Sequence, residues 1–168
     1  MNSNARVFLA HLNGLGVFDP MGDQMGKVRD ATMVIRTGAN PPRLTGLVVE
    51  VPPRRRIFVP MTKVTAIDSR QIIVTGMVNL RRFEQRRNET LVPAELLDRS
   101  VTLIGTDETV TIEDIGVEQT RSREWLVDKL FVRKAPVGFR RRSEKIIVDW
   151  NAVTGLSFPN QDQPAEQL

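Results

Sequence analysis

Cysteine and tyrosine are absent from this chain of 168 residues, and histidine occurs once, as His11. Without cysteine the chain has no disulfide, no thiolate nucleophile and no zinc ribbon. A single histidine without cysteine also argues against a zinc site or a serine triad. The sequence therefore predicts no metal site, no cofactor and no catalytic residue, and we expect a protein that is not an enzyme.

Long apolar runs are missing as well. No stretch approaches the roughly 18 apolar residues of a transmembrane helix, and the apolar run at residues 7–9 is too short for a signal peptide. We expect a cytoplasmic chain that does not span a membrane and that meets one only through a partner.

The net charge of +4 conceals an imbalance between the two ends of the chain. Residues 1–88 hold 14 Lys and Arg against 6 Asp and Glu, whereas residues 89–168 hold 10 against 14. This asymmetry can attract an acidic partner to the first part, or help the two parts associate with each other.

Two stretches far apart in the chain resemble each other. Residues 56–67 and 145–156 align without a gap at an offset of 89 residues, and each reads as a strand, a tight corner and a second short strand. The identities are Ile57 with Ile146, Val59 with Val148, Val64 with Val153 and Thr65 with Thr154. The repeat predicts two copies of one small β unit that pack on each other, since units of about 70 residues are marginal alone.

β-branched and apolar runs separated by Gly and Pro predict short strands in both copies. The clearest runs are residues 27–35, 44–51, 72–74, 101–104, 110–117 and 125–132. Residues 93–97 begin with proline and predict a single helical turn between the copies.

The first copy carries motifs of a known family. Residues 22–30 read GDQMGKVRD, residues 44–49 read LTGLVV and residues 57–60 read IFVP. These motifs resemble the opening hairpin and following strands of PRC-barrel domains, which are named after a subunit of the photosynthetic reaction centre. The resemblance extends over residues 14–158, although residues 105–114 lack the second glycine of the hairpin.

This resemblance implies an all-β fold of two small PRC-type β-barrels, related by internal duplication, with a short helical turn between them. The implied boundaries are a first barrel at 1–76, a basic connector at 77–92, a second barrel at 93–158 and a flexible tail at 159–168.

Two further strings point to a narrower group. Residues 78–84 read VNLRRFE and residues 148–151 read VDWN, and they resemble actinobacterial proteins that join tandem PRC barrels to a helical MgtE-type intracellular domain. The implied function is a non-catalytic adaptor or regulatory module associated with magnesium transport, either as a piece of a longer protein or without the magnesium-linked portion. The alternative is an RNA-binding ribosome-assembly factor that resembles the maturation factor RimM, also a PRC-barrel protein, and binds a ribosomal protein.

Arginine clusters are the candidate binding site. If they converge, they could bind an acidic partner; the competing interpretation is that they are solvated loop charges. The predicted partner is a protein, such as a membrane transporter or its cytoplasmic domain, and RNA, an anionic headgroup and a homodimer are left open. The candidate residues are Arg54, Arg55, Arg56, Arg81, Arg82, Arg86, Arg87, Arg140, Arg141 and Arg142.

The remaining polar and aromatic candidates favour structural roles. Asp30 and Asp114 stand at equivalent places in the two copies and are expected to bond nearby backbone or a basic side chain. Trp125 and Trp150 fall in strand runs and are expected to pack in the core or between the units, with a partner interface as the alternative.

Overall fold

The computed structural model describes residues 6–35, 40–75, 83–85, 89–135 and 143–156 of the chain. These ranges form thirteen strands, one four-residue α-helix and three single helical turns. The predicted all-β class is confirmed, because extended segments account for most of the described residues.

The first part of the chain contains seven strands. They are β1 (Arg6–Phe8), β2 (Gly16–Phe18), β3 (Gln24–Val34), β4 (Arg43–Val51), β5 (Arg55–Pro60), β6 (Val64–Ile67) and β7 (Gln71–Val74). The helix α1 (Leu9–Leu12) follows β1, and a 3-10 turn at Met61–Lys63, the Met61 turn, joins β5 to β6.

The second part contains six strands. They are β8 (Glu89–Leu91), β9 (Ser100–Leu103), β10 (Thr109–Gln119), β11 (Trp125–Lys134), β12 (Lys145–Asp149) and β13 (Val153–Thr154). A π-helical turn at Val92–Leu96, the Val92 turn, follows β8, and a 3-10 turn at Trp150–Ala152, the Trp150 turn, precedes β13.

All the strands belong to one sheet. Its order is β13-β9-β10-β11-β4-β3-β2-β7-β6, and β1, β5, β8 and β12 pair at its sides with β10, β4, β3 and β11. No pairing between described residues joins the two ends, so the sheet is open and the prediction of PRC-type closed barrels is wrong. The apolar runs showed which residues are extended but could not show whether the short end strands pair.

We call β2–β7 the first group and β9–β13 the second group. Each group pairs with one strand that lies outside both groups in the chain. β1 precedes the first group but pairs with β10 of the second, whereas β8 directly precedes the second group but pairs with β3 of the first. The two groups therefore exchange a strand, and each depends on the other. The predicted boundaries at residues 76 and 93 stay a prediction.

The helical turns that follow the exchanged strands are fixed by two aspartates. Asp30, at a bulge in β3, accepts backbone N–H bonds from its neighbour at 2.8 Å and from Ala94 of the Val92 turn at 3.2 Å. Asp114, at a bulge in β10, accepts bonds from its neighbour at 2.8 Å and from Ala10 of α1 at 2.8 Å. The expectation that both carboxylates bond backbone is confirmed.

The strand registers of the two groups correspond. In the first group β3 pairs with β4, and β4 pairs with β5. In the second group β10 pairs with β11, and β11 pairs with β12. The matching rows are Val28, Val49 and Ile57 in the first group, and Ile112, Val132 and Ile146 in the second. These rows place Ile57 and Ile146 at the same structural position.

One hydrophobic core runs through both groups. It joins buried side chains of α1, the strands and the Val92 turn into a single cluster. Leu9 and Leu12 of α1 are each only 1% exposed, and Leu96 of the Val92 turn is fully buried. The exchanged segments are thus part of the core.

Candidate functional site

A groove opens where β4 changes its partner. Along residues 46–51 this strand pairs with β5, but at Arg43 and Leu44 the same edge pairs with Leu126 and Trp125 of β11. Beyond Pro60 the chain leaves β4 through the Met61 turn, and β11 takes the place of β5. We call the space between these diverging segments the fork groove.

The fork groove has a volume of about 1060 Å³ and is lined by both strand groups. The first group supplies the start of β4, Phe58 of β5, the Met61 turn and the start of β6, and the second group supplies the turn between β10 and β11. Phe58 is held in place by a stacked ring contact with Phe83, whose centroid lies 6.3 Å away. A space of this size can hold a ligand or a segment of a partner.

The β10–β11 turn is a well-bonded wall. The backbone N–H of Thr120 bonds the Glu124 carbonyl at 2.7 Å, and the Arg123 N–H bonds the Thr120 carbonyl at 2.9 Å. The Thr120 hydroxyl also lies 2.9 Å from Oγ of Ser122. Because Arg123 adopts a left-handed φ of 68°, the turn has a defined shape that presents this side chain at the rim.

Two buried polar atoms of the groove residues have no hydrogen-bond partner within the part of the chain that the structure describes. They are Nε1 of Trp125, a residue only 6% exposed, and Oγ1 of Thr75. Buried polar groups are nearly always bonded, and one left unpaired costs about 1–3 kcal/mol. Both residues line the fork groove, and the two atoms lie buried beneath its surface.

The charges of the groove lining are unevenly paired. Nη1 of Arg43 lies 3.6 Å from Oε2 of Glu124. The buried Glu89 accepts a hydrogen bond from the Thr45 hydroxyl at 3.3 Å. Arg123 is exposed and has no ion-pair partner among the described residues. The rim therefore offers one positive charge to a ligand.

Part of the chain that lines this groove is similar to a known family. Residues 90–159 match the family model described as the actinomycetes SH3 domain. The match contains β9–β13, which form the second strand group, and covers less than half of the chain. No curated protein matches the chain.

This match corrects the resemblance inferred from the motifs. The recognition of tandem PRC barrels was wrong, as was the link to MgtE-type proteins and magnesium transport, because the matched family is an SH3 domain and the sheet is open. The motifs that suggested PRC barrels consist of glycines at tight bends, apolar strand residues and an aspartate. Any small, strongly bent sheet needs such residues, so they do not identify one family.

Only three of the ten candidate arginines lie in the described residues. Arg54, Arg55 and Arg56 are exposed at the turn between β4 and β5. None of the three lines the fork groove, although Arg56 stands two residues before Phe58, which does. The others, Arg81, Arg82, Arg86, Arg87, Arg140, Arg141 and Arg142, lie outside the described residues, and the convergence of the clusters stays a prediction.

The tryptophans have different positions from each other. Trp125 begins β11 and is buried at the groove, as expected for packing between the units, whereas Trp150 begins the turn before β13 and is half-buried. No sequence pattern indicates that the Trp125 indole N–H would have no partner among the described residues. His11 on α1 is exposed, with Nε2 3.0 Å from the Ser69 carbonyl oxygen.

The described residues contain neither a membrane-spanning helix nor a cluster of metal-binding side chains. Within the described ranges no helix has the length and apolar character needed to cross a bilayer. The same ranges hold no group of three or more His, Cys, Asp or Glu side chains arranged to bind a metal ion.

The two aspartates that fix the exchanged segments are perturbed acids. Burial raises the pKa of Asp30 to about 6 from an ordinary value of 3.8, with a smaller contribution from Glu95, while the two backbone N–H bonds and Arg56 oppose the rise. Burial also raises the pKa of Asp114, again opposed by its backbone bonds. Both carboxyl groups therefore take up a proton at a higher pH in the folded state than in the unfolded state.

We expect the contribution of Asp30 to stability to fall as pH rises from about 4 to about 7. Asp30 has a folded pKa of about 6 above its ordinary 3.8, so its contribution is fully present below the ordinary value and is lost as pH rises through 6. Asp114 acts in the same direction. Urea unfolding between pH 4 and pH 8 measures this slope.

Asp30→Asn should make the slope shallower, because the amide does not titrate and still has a carbonyl that accepts one backbone bond. Asp30→Asn combined with Asp114→Asn should make it shallower still. An unchanged slope in the double variant would show that other groups produce the pH dependence.

Proposed function

We propose that this protein is a non-catalytic binding module that docks a segment of a partner protein in the fork groove. The observation that carries the proposal is the pair of buried, unpaired polar groups, Trp125 Nε1 and Thr75 Oγ1, in one groove. Buried polar groups usually have a hydrogen-bond partner, so each of these two atoms calls for an explanation. A docked segment could supply the missing acceptors.

The similarity to an SH3 family supports the choice of a protein partner. Domains of the SH3 type usually mediate protein interactions. The groove lining combines partly exposed Phe58 and the buried Leu44 and Met61 with hydroxyl and charged side chains.

We further infer that the two strand groups arose by duplication of one small β unit. The support is the matching registers, the equivalent bulges at Asp30 and Asp114, and the reciprocal placement of β1 and β8. In this interpretation the fork groove is a product of joining the units, because neither group alone supplies both of its walls.

Site-specific photo-crosslinking tests the docking proposal. A photoreactive benzoylphenylalanine in place of Ser122, which is exposed at the groove, should form an adduct with a defined protein in a lysate of the source organism. The matched control places the same group at Met21, which is 85% exposed in the turn before β3 and does not line the groove.

Mass spectrometry identifies the adducts. One protein enriched at least tenfold at the groove position over the control would support docking, with the factor chosen to exceed nonspecific labelling. Equal labelling at both positions, or no protein adduct at the groove, would refute it.

A further inference from the structure

We propose that the segment docked in the fork groove is an extended acidic peptide, with carboxylate side chains at the rim and apolar side chains toward the floor. This inference rests on the proposed docking function and assigns its ligand chemistry. Three observations support it. Two hydrogen-bond donors of the groove residues have no partner among the described residues, the unpaired charge at the rim is positive, and the lining includes apolar side chains.

The buried groups call for hydrogen-bond acceptors. An indole N–H can only donate, and the Thr75 hydroxyl has its donor function unused. Main-chain carbonyls of an extended peptide supply acceptors at regular intervals. Because both atoms are buried, the proposal includes an opening of the groove that lets the peptide carbonyls reach them.

The charges at the rim of the groove favour a negatively charged ligand. Arg123 projects from a turn that is fixed by its own hydrogen bonds, and no described carboxylate pairs with it. Glu89 and Glu124, the acids of the lining, already have partners in Thr45 and Arg43. A carboxylate would therefore find an available cation at the rim, whereas a lysine-bearing peptide would meet only acids that are already bonded.

The floor explains why the ligand is extended and partly apolar. Leu44, Phe58 and Met61 line the groove, and alternate residues of an extended chain point to opposite sides. A sequence that alternates apolar and acidic residues would place one set on this floor and leave the other set available to Arg123.

The test uses fluorescein-labelled octapeptides and the full chain carrying Trp150→Phe, so that Trp125 alone reports on the groove. Anisotropy should show binding of a peptide of alternating Leu and Glu. The peptide of alternating Leu and Gln should bind about tenfold more weakly, and that of Leu and Lys more weakly again. Trp125 emission should shift on binding of the first peptide.

Three variants locate the binding. Arg123→Asn, which tolerates the left-handed backbone, should weaken binding about two- to fivefold at low salt and not at 1 M salt. Arg121→Asn removes a neighbouring exposed charge outside the groove lining and should leave binding unchanged. Replacing Arg54, Arg55 and Arg56 together with Ala tests nonspecific attraction and should also have no more than a small effect.

Thr75→Val gives the most distinctive signature. It removes an unpaired buried hydroxyl while nearly conserving shape, so the free protein should melt at a higher temperature although it binds the Leu-Glu peptide about tenfold more weakly. Thr75→Ser keeps the hydroxyl and should retain binding. A stabilised protein with reduced binding distinguishes a ligand-facing group from a merely structural one.

Equal affinity for the Leu-Glu and Leu-Gln peptides, or equal losses from Arg123→Asn and Arg121→Asn, would overturn the acidic-peptide inference. If Ser122 still crosslinks a protein in that case, docking in the groove stands and only its ligand chemistry is wrong. Preferential binding of the Leu-Lys peptide, or of a single-stranded RNA used as a competing polyanion, would equally overturn it.

Discussion

A chain that begins at Asn13 is expected to lose the native structure of β9–β13, although the missing residues lie almost ninety positions before that group. The missing segment contains β1, which pairs with β10 through Arg6, Val7 and Phe8. It also contains α1, whose Leu9 and Leu12 are buried and whose Ala10 N–H bonds Asp114. Truncating one buried leucine to Ala costs about 2–5 kcal/mol, and total stabilities are about 5–15 kcal/mol.

The chain provides a convenient measurement of this effect. Its two tryptophans, Trp125 and Trp150, both lie in the second group, so intrinsic fluorescence reports on the half that was not shortened. We expect red-shifted emission and loss of near-ultraviolet circular dichroism. A synthetic peptide of residues 1–12 added in excess should restore both signals.

Point variants of the full chain show whether the loss of structure comes from the missing contacts or from the shortening of the chain itself. Leu9→Ala should lower the free energy of unfolding by about 2–5 kcal/mol, whereas His11→Ala, an exposed neighbour on α1, should change it by no more than about 1 kcal/mol. Native emission from the shortened chain without the peptide would contradict the structural role of the exchanged segment.

Replacing Gly26 with Ala is expected to lower the free energy of unfolding by about 3 kcal/mol, at the upper end of overpacking costs. A Cβ at this buried position would stand 2.2 Å from the Glu50 carbonyl oxygen and 3.0 Å from its carbonyl carbon. These are backbone atoms of the neighbouring strand β4, so no side-chain rotation can relieve the clash. β3 and β4 would have to separate.

Thermal unfolding should show a decrease of roughly 6–12 °C in melting temperature for Gly26→Ala. The matched control is Gly116→Ala on β10, where a Cβ would meet only the side chains of Arg6 and Phe8 at 3.3 Å. These flexible side chains can adjust, and we expect a change below about 1 kcal/mol. Equal losses from the two substitutions would show that the close approach of β4 is not what requires glycine at position 26.

Local sequence patterns were sufficient for the secondary structure but not for the pairing. The predicted runs at residues 44–51 and 125–132 coincide closely with β4 and β11, because β-branched residues and flanking breakers act locally. β1 and β8 have three residues each, which is too short for a periodic pattern. Their partners are far away in the chain, so no local signal could reveal the exchange.

The aspartates show how much a repeat alone can predict. Their equivalent places in the two copies suggested that Asp30 and Asp114 bond nearby backbone, and the structure confirms these bonds. The sequence could not show that Asp30 also accepts a bond from the Val92 turn, or that Asp114 also accepts one from α1. That information depends on tertiary packing.

The fork groove could not have been predicted because its walls come from distant segments. Thr75, Trp125 and Arg123 have no common sequence motif, and the unpaired state of Trp125 Nε1 depends on atoms of the surrounding fold. The arginine clusters were prominent in the sequence because charge is visible without a fold. Of these, the described cluster at Arg54, Arg55 and Arg56 does not line the groove.

The exchange of β1 and β8 also restricts how this protein can change over evolutionary time. A recombination event between β7 and β8 would give one descendant a first group without β8, and the other a second group without β1. Neither descendant would inherit a complete sheet, even though each would contain an uninterrupted run of strands. Selection for folding would therefore favour chains in which the two halves stay together.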